Sequence, residues 1–433
     1  MAQSITIIGA GVVGMATASY LKLDGHDVTV IDERPPGEYC SFGNAGILSP
    51  ASCVPLGLPG ILRKVPGYLV DSLSPLTIRP SYAVRALPWL LRFVEASRPS
   101  RIDAIANSLR ALLKQTFDAW IPLTHWAGVP DIIRRDGYIV VYETERAYES
   151  DALAWQIRRD RGVAFDELNT AEISDLEPGL CVRYPRGVFV RDQGHVRNPL
   201  RLTQALATQF AKEGGRILQQ KVLDVETGAL GAQAVVTDAG RLPVDTLVVC
   251  AGVHSNEVTH SLDGRVPLES QRGYHVQFEE STARLTRPVC SGEGKFFVTP
   301  MEQGIRIAGS VEFAGTNADP DYARADVLRR QVERMLPTLA GSRSTKWAGH
   351  RPCMPDSLPV IGPSPRFRNV YYAFGHGHVG LCGGAPTGRI IADLVAGRMP
   401  ALDITPFRID RFNRGLPRAR RFSSRLPAHH PPP

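Results

Sequence analysis

The seven cysteines of this 433-residue chain (Cys40, Cys53, Cys181, Cys250, Cys290, Cys353, Cys382) never fall in C-x-x-C spacing. That excludes the usual zinc knuckles and gives no disulfide framework, so reduced thiols and no metal site are expected. No internal repeat and no heptad array is present. The stretch from Tyr39 to Leu62 carries no charge, but Pro50, Pro55 and Pro59 and four glycines interrupt it. It reads as a long loop against something apolar or a ligand, and not as a spanning helix. Aromatic residues are 7% and charged residues 21%, against 43% hydrophobic. Such a chain is too apolar for disorder and long enough for two domains around a large core.

Negative charge is the scarcer sign: 50 Lys and Arg face 43 Asp and Glu, a net +7. The excess gathers near the end, in Arg408, Arg411, Arg414, Arg418, Arg420, Arg421 and Arg425. Residues 416–433 have no periodicity and read as a solvated basic tail, with no nucleic-acid partner expected. The first strand begins almost at Met1, leaving no room for a cleavable signal peptide, so a cytoplasmic protein is expected.

What the sequence does have is glycine in two particular places. Ser4 to Ile8 is an apolar strand, followed by Gly9-Ala10-Gly11-Val12-Val13-Gly14, and the next strand, Val28 to Ile31, ends on Asp32. Gly9 permits a tight turn and Gly11 lets backbone amides approach a pyrophosphate. Gly14, with Ala18, lets the helix lie close on the sheet. The helix N-terminus then faces the phosphates. Asp32, 21 residues after Gly11, is placed to accept from ribose hydroxyls. Strand, glycines, helix and acid in register predict an adenine-dinucleotide site.

Further along, Asn198-Pro199 opens a helix with Leu202, Leu206 and Phe210 on one face, closed by Gly214-Gly215. Strands are expected over Ile217 to Val225, Ala232 to Thr237 and Leu247 to Cys250, the last running into Ala251-Gly252. Ile105, Leu109, Leu113, Phe117 and Trp120 form a helical stripe whose default role is core packing. Gly137–Tyr142, Gly187–Val190, Tyr274–Phe278, Phe296–Thr299 and Ile305–Ala308 read as a second, largely antiparallel sheet. The expected fold is therefore α/β: a Rossmann-type domain from 1–55, 195–260 and 345–415. An inserted antiparallel cap would be built from 56–194 and 261–344.

The second glycine-rich place follows the strand Val370 to Phe374: Gly375-His376-Gly377-His378-Val379-Gly380, then a helix with Pro386 expected in its first turn. Reduced flavin gathers negative charge at N1 and the C2 carbonyl, and amides at a helix N-terminus stabilise such charge. A nicotinamide enzyme needs no second nest, so FAD is the expected cofactor.

These motifs occur together with Cys40-Ser41-Phe42-Gly43-Asn44-Ala45-Gly46, Cys250-Ala251-Gly252 and the stretch Gly349-His350-Arg351-Pro352-Cys353-Met354-Pro355-Asp356 through Gly362. In this order they resemble the FAD-dependent D-amino-acid dehydrogenases of the D-amino-acid oxidase and glycine oxidase superfamily, over essentially residues 1–415. The resemblance implies that Gly9, Gly11, Val12, Val13 and Gly14 hold the pyrophosphate and Asp32 the ribose, with Glu33 and Arg34 nearby. It places Ser41, Asn44, Ala45 and Gly46 along the pyrophosphate and flavin, and Val222 at the adenine. Ala251 and Gly252 would close the ribityl region, and His376, Gly377, His378, Val379, Gly380 and Leu381 would meet the flavin's pyrimidine edge.

Arg351 stands in the motif position that grips the substrate carboxylate, and it counts also among the cofactor contacts. A guanidinium matches a carboxylate two-pronged. The alternative is an arginine paired with an internal acid. No strong base is needed, because the amine lone pair drives hydride loss from Cα to flavin N5. Tyr274, His275 and His378 are candidate catalytic side chains; packing or turn roles are the alternatives. Phe297-Val298-Thr299-Pro300 departs from the oxidases' Tyr-x-x-Pro string, having no phenol. Cys353 is off the register of a flavin tether, so non-covalent FAD is expected.

The resemblance implies oxidation of the C–N bond of a D-amino acid, or of a cyclic imino acid such as a D-proline derivative, to an imine that water hydrolyses. A glycine- or sarcosine-type oxidase using oxygen and a flavin subunit of an electron-transfer complex are the competing readings. Membrane quinone is the acceptor that the resemblance suggests. Arg79, Arg85 and Arg92, interleaved with Tyr82, Leu87, Trp89, Leu90, Leu91 and Phe93, suit a surface lying on anionic lipid.

Overall fold

The computed structural model describes residues 2–60, 76–279 and 283–412. The basic tail, most of its arginines, and Ile61 and Leu62 of the uncharged stretch lie outside the described residues. The elements that carry the site are, in chain order, β1 (Ser4–Ile8), α1 (Val12–Leu23), β2 (Asp27–Asp32), α2 (Ala83–Ala96), α3 (Pro99–Leu113), α4 (Thr116–Trp126), β3 (Thr246–Val249), β4 (Glu269–Phe278), β5 (Phe297–Met301), β6 (Gly304–Phe313), β7 (Ser344–Cys353), β8 (Val370–Phe374) and α5 (Gly380–Val395).

Buried β-branched runs make a six-stranded sheet in the order Arg216–Gln219, β2, β1, β3, β8, Val360–Pro363. All pairings are parallel except the last. Both glycine turns leave this sheet at strand C-terminal ends, where ligands of doubly wound sheets bind. The expected single strand Ile217 to Val225 is in fact two. Gln220 N–H turns back to Asp32 O at 2.9 Å, and Val222–Thr227 starts a separate three-stranded antiparallel sheet.

The second sheet has nine strands, ordered β7, β4, β6, β5, Val289–Ser291, Tyr138–Tyr142, Arg186–Val190, Asp166–Leu168, with Leu76–Ile78 beside β6. All five segments expected in this sheet are there. It is antiparallel but for two parallel pairings, Val289–Ser291 with Tyr138–Tyr142 and Leu76–Ile78 with β6. β7 is paired along its whole length with β4, so residues 345–353, expected within the cofactor domain, form a strand of the second sheet.

The helical stripe of Ile105 to Trp120 is split between α3 and α4, and all five side chains are buried. Both helices pack on α5. Pro386 is not in the first turn of α5, which begins six residues earlier at Gly380. Proline there donates nothing to Cys382 O, and Thr116 Oγ1 donates to that carbonyl instead, at 3.2 Å. Trp120 Nε1 donates to Leu381 O at 2.8 Å, pinning the start of α5 from behind.

The arginine-rich segment is only partly free. Arg79 pairs with buried Glu312 at 2.6 Å, Tyr82 bonds Glu269, and buried Trp89 donates to Cys353 O. Val84, Leu87 and Leu91 on α2 are 82%, 51% and 63% exposed, with exposed Arg85 and Arg92 beside them. Among the described residues, no helix is long and apolar enough to cross a membrane.

Candidate active site

Gly9, at φ 112°, turns the chain where a Cβ would lie 2.4 Å from Cys250 O, and a Cβ on Gly14 would lie 1.9 Å from Gly9 O. These two glycines are demanded by the protein's own packing. Gly11 is not: a Cβ there would meet only Ser41 Oγ, at 3.4 Å. Its open side faces a cavity of about 480 Å³ lined by Gly9 to Gly11, Asp32 to Arg34, Ser41, Val222, Ala251 and Gly252. Asp32 accepts from Ala10 N–H at 2.7 Å and Arg34 N–H at 2.9 Å. A carboxylate has about four acceptor positions, so two remain for ribose hydroxyls. The N-terminus of α1 carries no capping side chain of its own; Ser41 Oγ accepts from Val12 N–H at 2.9 Å, and Val13 and Gly14 lie in the turn behind. An anionic dinucleotide fits this acid, these glycines and this helix end. Gln220, Lys221, Leu223, His254 and Glu257 also line the cavity and were not foreseen.

At the second turn, α5 is likewise uncapped. Gly375 and Gly377 hold positive φ, and a Cβ on Gly377 would press Cys353 Sγ at 3.1 Å. His376 is buried, its Nε2 bonded to Thr387 Oγ1 at 2.9 Å, so the turn offers its backbone there. His378 instead stands exposed. Surrounding protein, and then the Arg351 charge, lower its pKa. Val379 and Leu381 are buried under the turn.

Strand alternation sorts the cap candidates. On β4 and β7 the odd positions Gly273, His275, Gln277, Trp347, Gly349 and Arg351 share one face. The Arg351 guanidinium lies over Gly273, whose Cβ would sit 2.2 Å from Nη2. It donates to Ser310 O at 2.8 Å and Gly309 O at 3.4 Å. Ser310 (φ 60°) forms a bulge in β6, where the register against β4 shifts. No carboxylate pairs with Arg351 among the described residues, so the alternative of an internal acid partner is absent. Cys40, on the dinucleotide cavity, lies within electrostatic reach of Arg351, which joins the two ends of the site. Burial pushes the Cys40 thiol up to about 11, and Cys353 up to about 12, so both stay protonated.

Tyr274 must be withdrawn from this group. It occupies the opposite face of β4, where its hydroxyl donates to Glu312 Oε2 at 2.6 Å and accepts from Asp321 N–H at 2.9 Å. Period-two alternation puts it and His275 on different sides of the sheet. His275 is on the site side but buried. Its Nδ1 donates to Gly43 O at 3.1 Å, its ring stacks on Trp347, and burial lowers its pKa to about 3. Arg306, an arginine in the otherwise apolar run Ile305 to Ala308, also escaped notice; it reaches the 42–44 loop.

Residues 4–394 match the family model described as FAD dependent oxidoreductase. The chain belongs to that family. An FAD-dependent oxidoreductase accounts for both glycine turns, and FAD is its cofactor. Among curated relatives, a D-amino-acid oxidase of Bradyrhizobium diazoefficiens is 40% identical over 417 residues, covering 95% of this chain and 99% of the relative. A D-amino acid dehydrogenase of the same organism is 28% identical, covering 95% and 99%. Among solved structures, glycine oxidase from Bacillus cereus superposes with a TM-score of 0.71 at 20% identity, covering 96% of this chain and 99% of that one. L-proline dehydrogenase from P. horikoshii gives 0.72 at 18% identity, covering 96% and 98%. At these identities the structural matches establish the fold of the oxidoreductase, which is the expected one.

Proposed function

We propose that this oxidoreductase is a dehydrogenase of D-amino acids, releasing an imine that hydrolyses to the 2-oxo acid, or of cyclic imino acids such as D-proline derivatives, whose imine is retained in the ring or opens later. The reading rests on one observation above all. Arg351 is held by two backbone carbonyls and, among the described residues, by no acid, so its charge is left for an external carboxylate. The names of the curated relatives, D-amino-acid oxidase and D-amino acid dehydrogenase, support the substrate class. Bound FAD supplies the two-electron acceptor. The protein's own part is to anchor the carboxylate at Arg351 and orient Cα–H. No side chain is assigned as a general base.

A second reading, direct use of oxygen, is favoured by the oxidase name of the 40% identical relative. For the dehydrogenase, the exposed stripe of Val84, Leu87 and Leu91 flanked by Arg85 and Arg92 is a candidate seat on anionic membrane, with quinone as acceptor. The test is an anaerobic screen of D- and L-amino acids for flavin bleaching, followed by admission of air. Bleaching by D-substrates with slow recovery in air is expected. Bleaching by L-isomers alone would overturn the substrate class, and fast recovery would move the enzyme to the oxidases.

A further inference from the structure

The geometry points to Arg306 as the residue that aims two main-chain amides of the 42–45 loop, Gly43 N–H and Ala45 N–H, at the FAD. Arg306 is buried on β6, and its only charged-group chemistry is with neutral acceptors. Its Nη1 donates to Phe42 O and to Asn44 O, each at 2.9 Å, and its Nε donates to Gln277 Oε1 at 2.9 Å. Gly43 O, between the two clamped carbonyls, is taken by His275 Nδ1 at 3.1 Å. Three consecutive carbonyls of a loop on the cofactor domain are therefore bonded by the cap sheet.

A trans peptide is planar, with N–H and C=O on opposite edges. If Arg306 draws the carbonyls of Phe42 and Asn44 to the cap, the N–H groups of those same peptides, on Gly43 and Ala45, point the other way. The remaining loop amides are used internally: Phe42 N–H to Gly37 O, Asn44 N–H to Ser41 O, Gly46 N–H to Asn44 Oδ1. Gly43 and Ala45 N–H find no acceptor among the described residues, and Gly43 is buried. An orphaned buried donor is destabilising unless something else accepts from it. Ser41, two residues before Gly43 in the same loop, already lines the dinucleotide cavity. The group in this site rich in acceptor atoms is FAD. Burying a guanidinium without an acid is itself costly, and burial does lower the pKa of Arg306, to about 10. The cost is intelligible if the charge fixes a loop whose donors bind the cofactor. Arg306 is thus a positioning residue acting through the loop.

The test compares Arg306→Met and Arg306→Lys, with affinity of the apoprotein for FAD read by quenching of flavin fluorescence, alongside the flavin absorption bands and the apoprotein melting temperature. Met is expected to weaken FAD binding at least tenfold and shift the bands. Lys, which still donates to the two carbonyls, should recover most of both. Affinity within twofold of wild type and an unchanged spectrum in Arg306→Met would overturn the assignment, even with a lowered melting temperature, since a purely structural role predicts that pattern. If Arg306→Met does not fold, Gln277→Met removes the acceptor of Nε, along with the Gln277 Nε2 bonds to Phe278 O and Ile305 O. There a severalfold loss of FAD affinity is expected, and none would overturn the proposal.

Discussion

Arg351 is a charge held by uncharged acceptors, and its replacement separates binding from chemistry. Losing a charge-assisted contact made in ground and transition states alike should raise KM by the equivalent of about 2–4 kcal/mol, roughly 30-fold or more, with FAD retained. An Arg351→Ala enzyme with unchanged KM for every substrate would remove Arg351 from the site. Gly273→Ala approaches the same point sterically, since its Cβ would occupy the place of the guanidinium; it too should raise KM more than it lowers kcat. Tyr274→Phe is the opposite case. It deletes a bond to buried Glu312, which also takes Arg79 and Arg272. Steady-state rates should hold while stability falls by about 1.5–3 kcal/mol. The histidines carry the pH dependence. Burial lowers His275 and His376 to about 3, and His195 and His350 to about 4. Below the unfolded value near 6.5 the unfolded chain takes up protons that the native protein refuses. Stability should therefore be full above pH 7 and fall progressively as pH drops from 6.5 toward 4. A melting temperature flat across that window would contradict the neutral, buried assignment.

Elements were easier to read than the sides they present. The first βαβ unit and the capped helix from Asn198 follow from local rules and stand as expected, whereas the helix after the second glycine turn starts earlier than Pro386 suggested, at Gly380. Asn198 indeed accepts from Arg201 N–H at 3.0 Å. What local rules do not carry is which sheet a strand joins, as β7 illustrates, or which face of β4 meets the ligand. Tyr274 and His275 are neighbours in sequence, and only pairing with β7 and β6 decides between them. Arg306 had a signal, a cation inside an apolar strand, but its partner loop is 264 residues away. Helix crossing was equally hidden. A Cβ on Gly388 of α5 would lie 2.9 Å from the backbone of Ala16 in α1. Neither helix is capped by its own N-cap side chain, and each starts at a glycine turn, so their spacing sets the distance between the two turns. Gly388→Ala should cost about 1–3 kcal/mol by overpacking, offset in part by about 1 kcal/mol of helix propensity. FAD affinity should fall with it. A variant with native FAD affinity and a raised melting temperature would mean that the crossing has slack.

At the scale of the molecule, the loop that Arg306 and His275 hold is tied to the second sheet, and the remaining question is where the electrons leave. The outer surface of α2 combines Val84, Leu87 and Leu91 with Arg85 and Arg92, whereas the inner surface is fixed by Trp89 on Cys353 O. An anchored helix with an apolar outer stripe and basic flanks would lie on a bilayer without crossing it. Cys353 is two residues from Arg351, so such a seat would hold the substrate end of the site close to the lipid. Apolar exposure alone does not distinguish lipid from protein contact, but charge does: attraction to anionic headgroups is screened over about 10 Å at 0.1 M salt. Co-sedimentation with anionic vesicles at low salt, weakening as salt rises and absent with neutral vesicles, is the expected outcome. Because the arginines of the C-terminal tail could produce the same salt dependence, the Leu87→Asp, Leu91→Asp double variant decides the location. It should lose vesicle binding while keeping turnover with a soluble dye acceptor. Binding that survives this variant places the contact elsewhere, and wild-type protein that stays in the supernatant at low salt delivers its electrons to a dissolved acceptor.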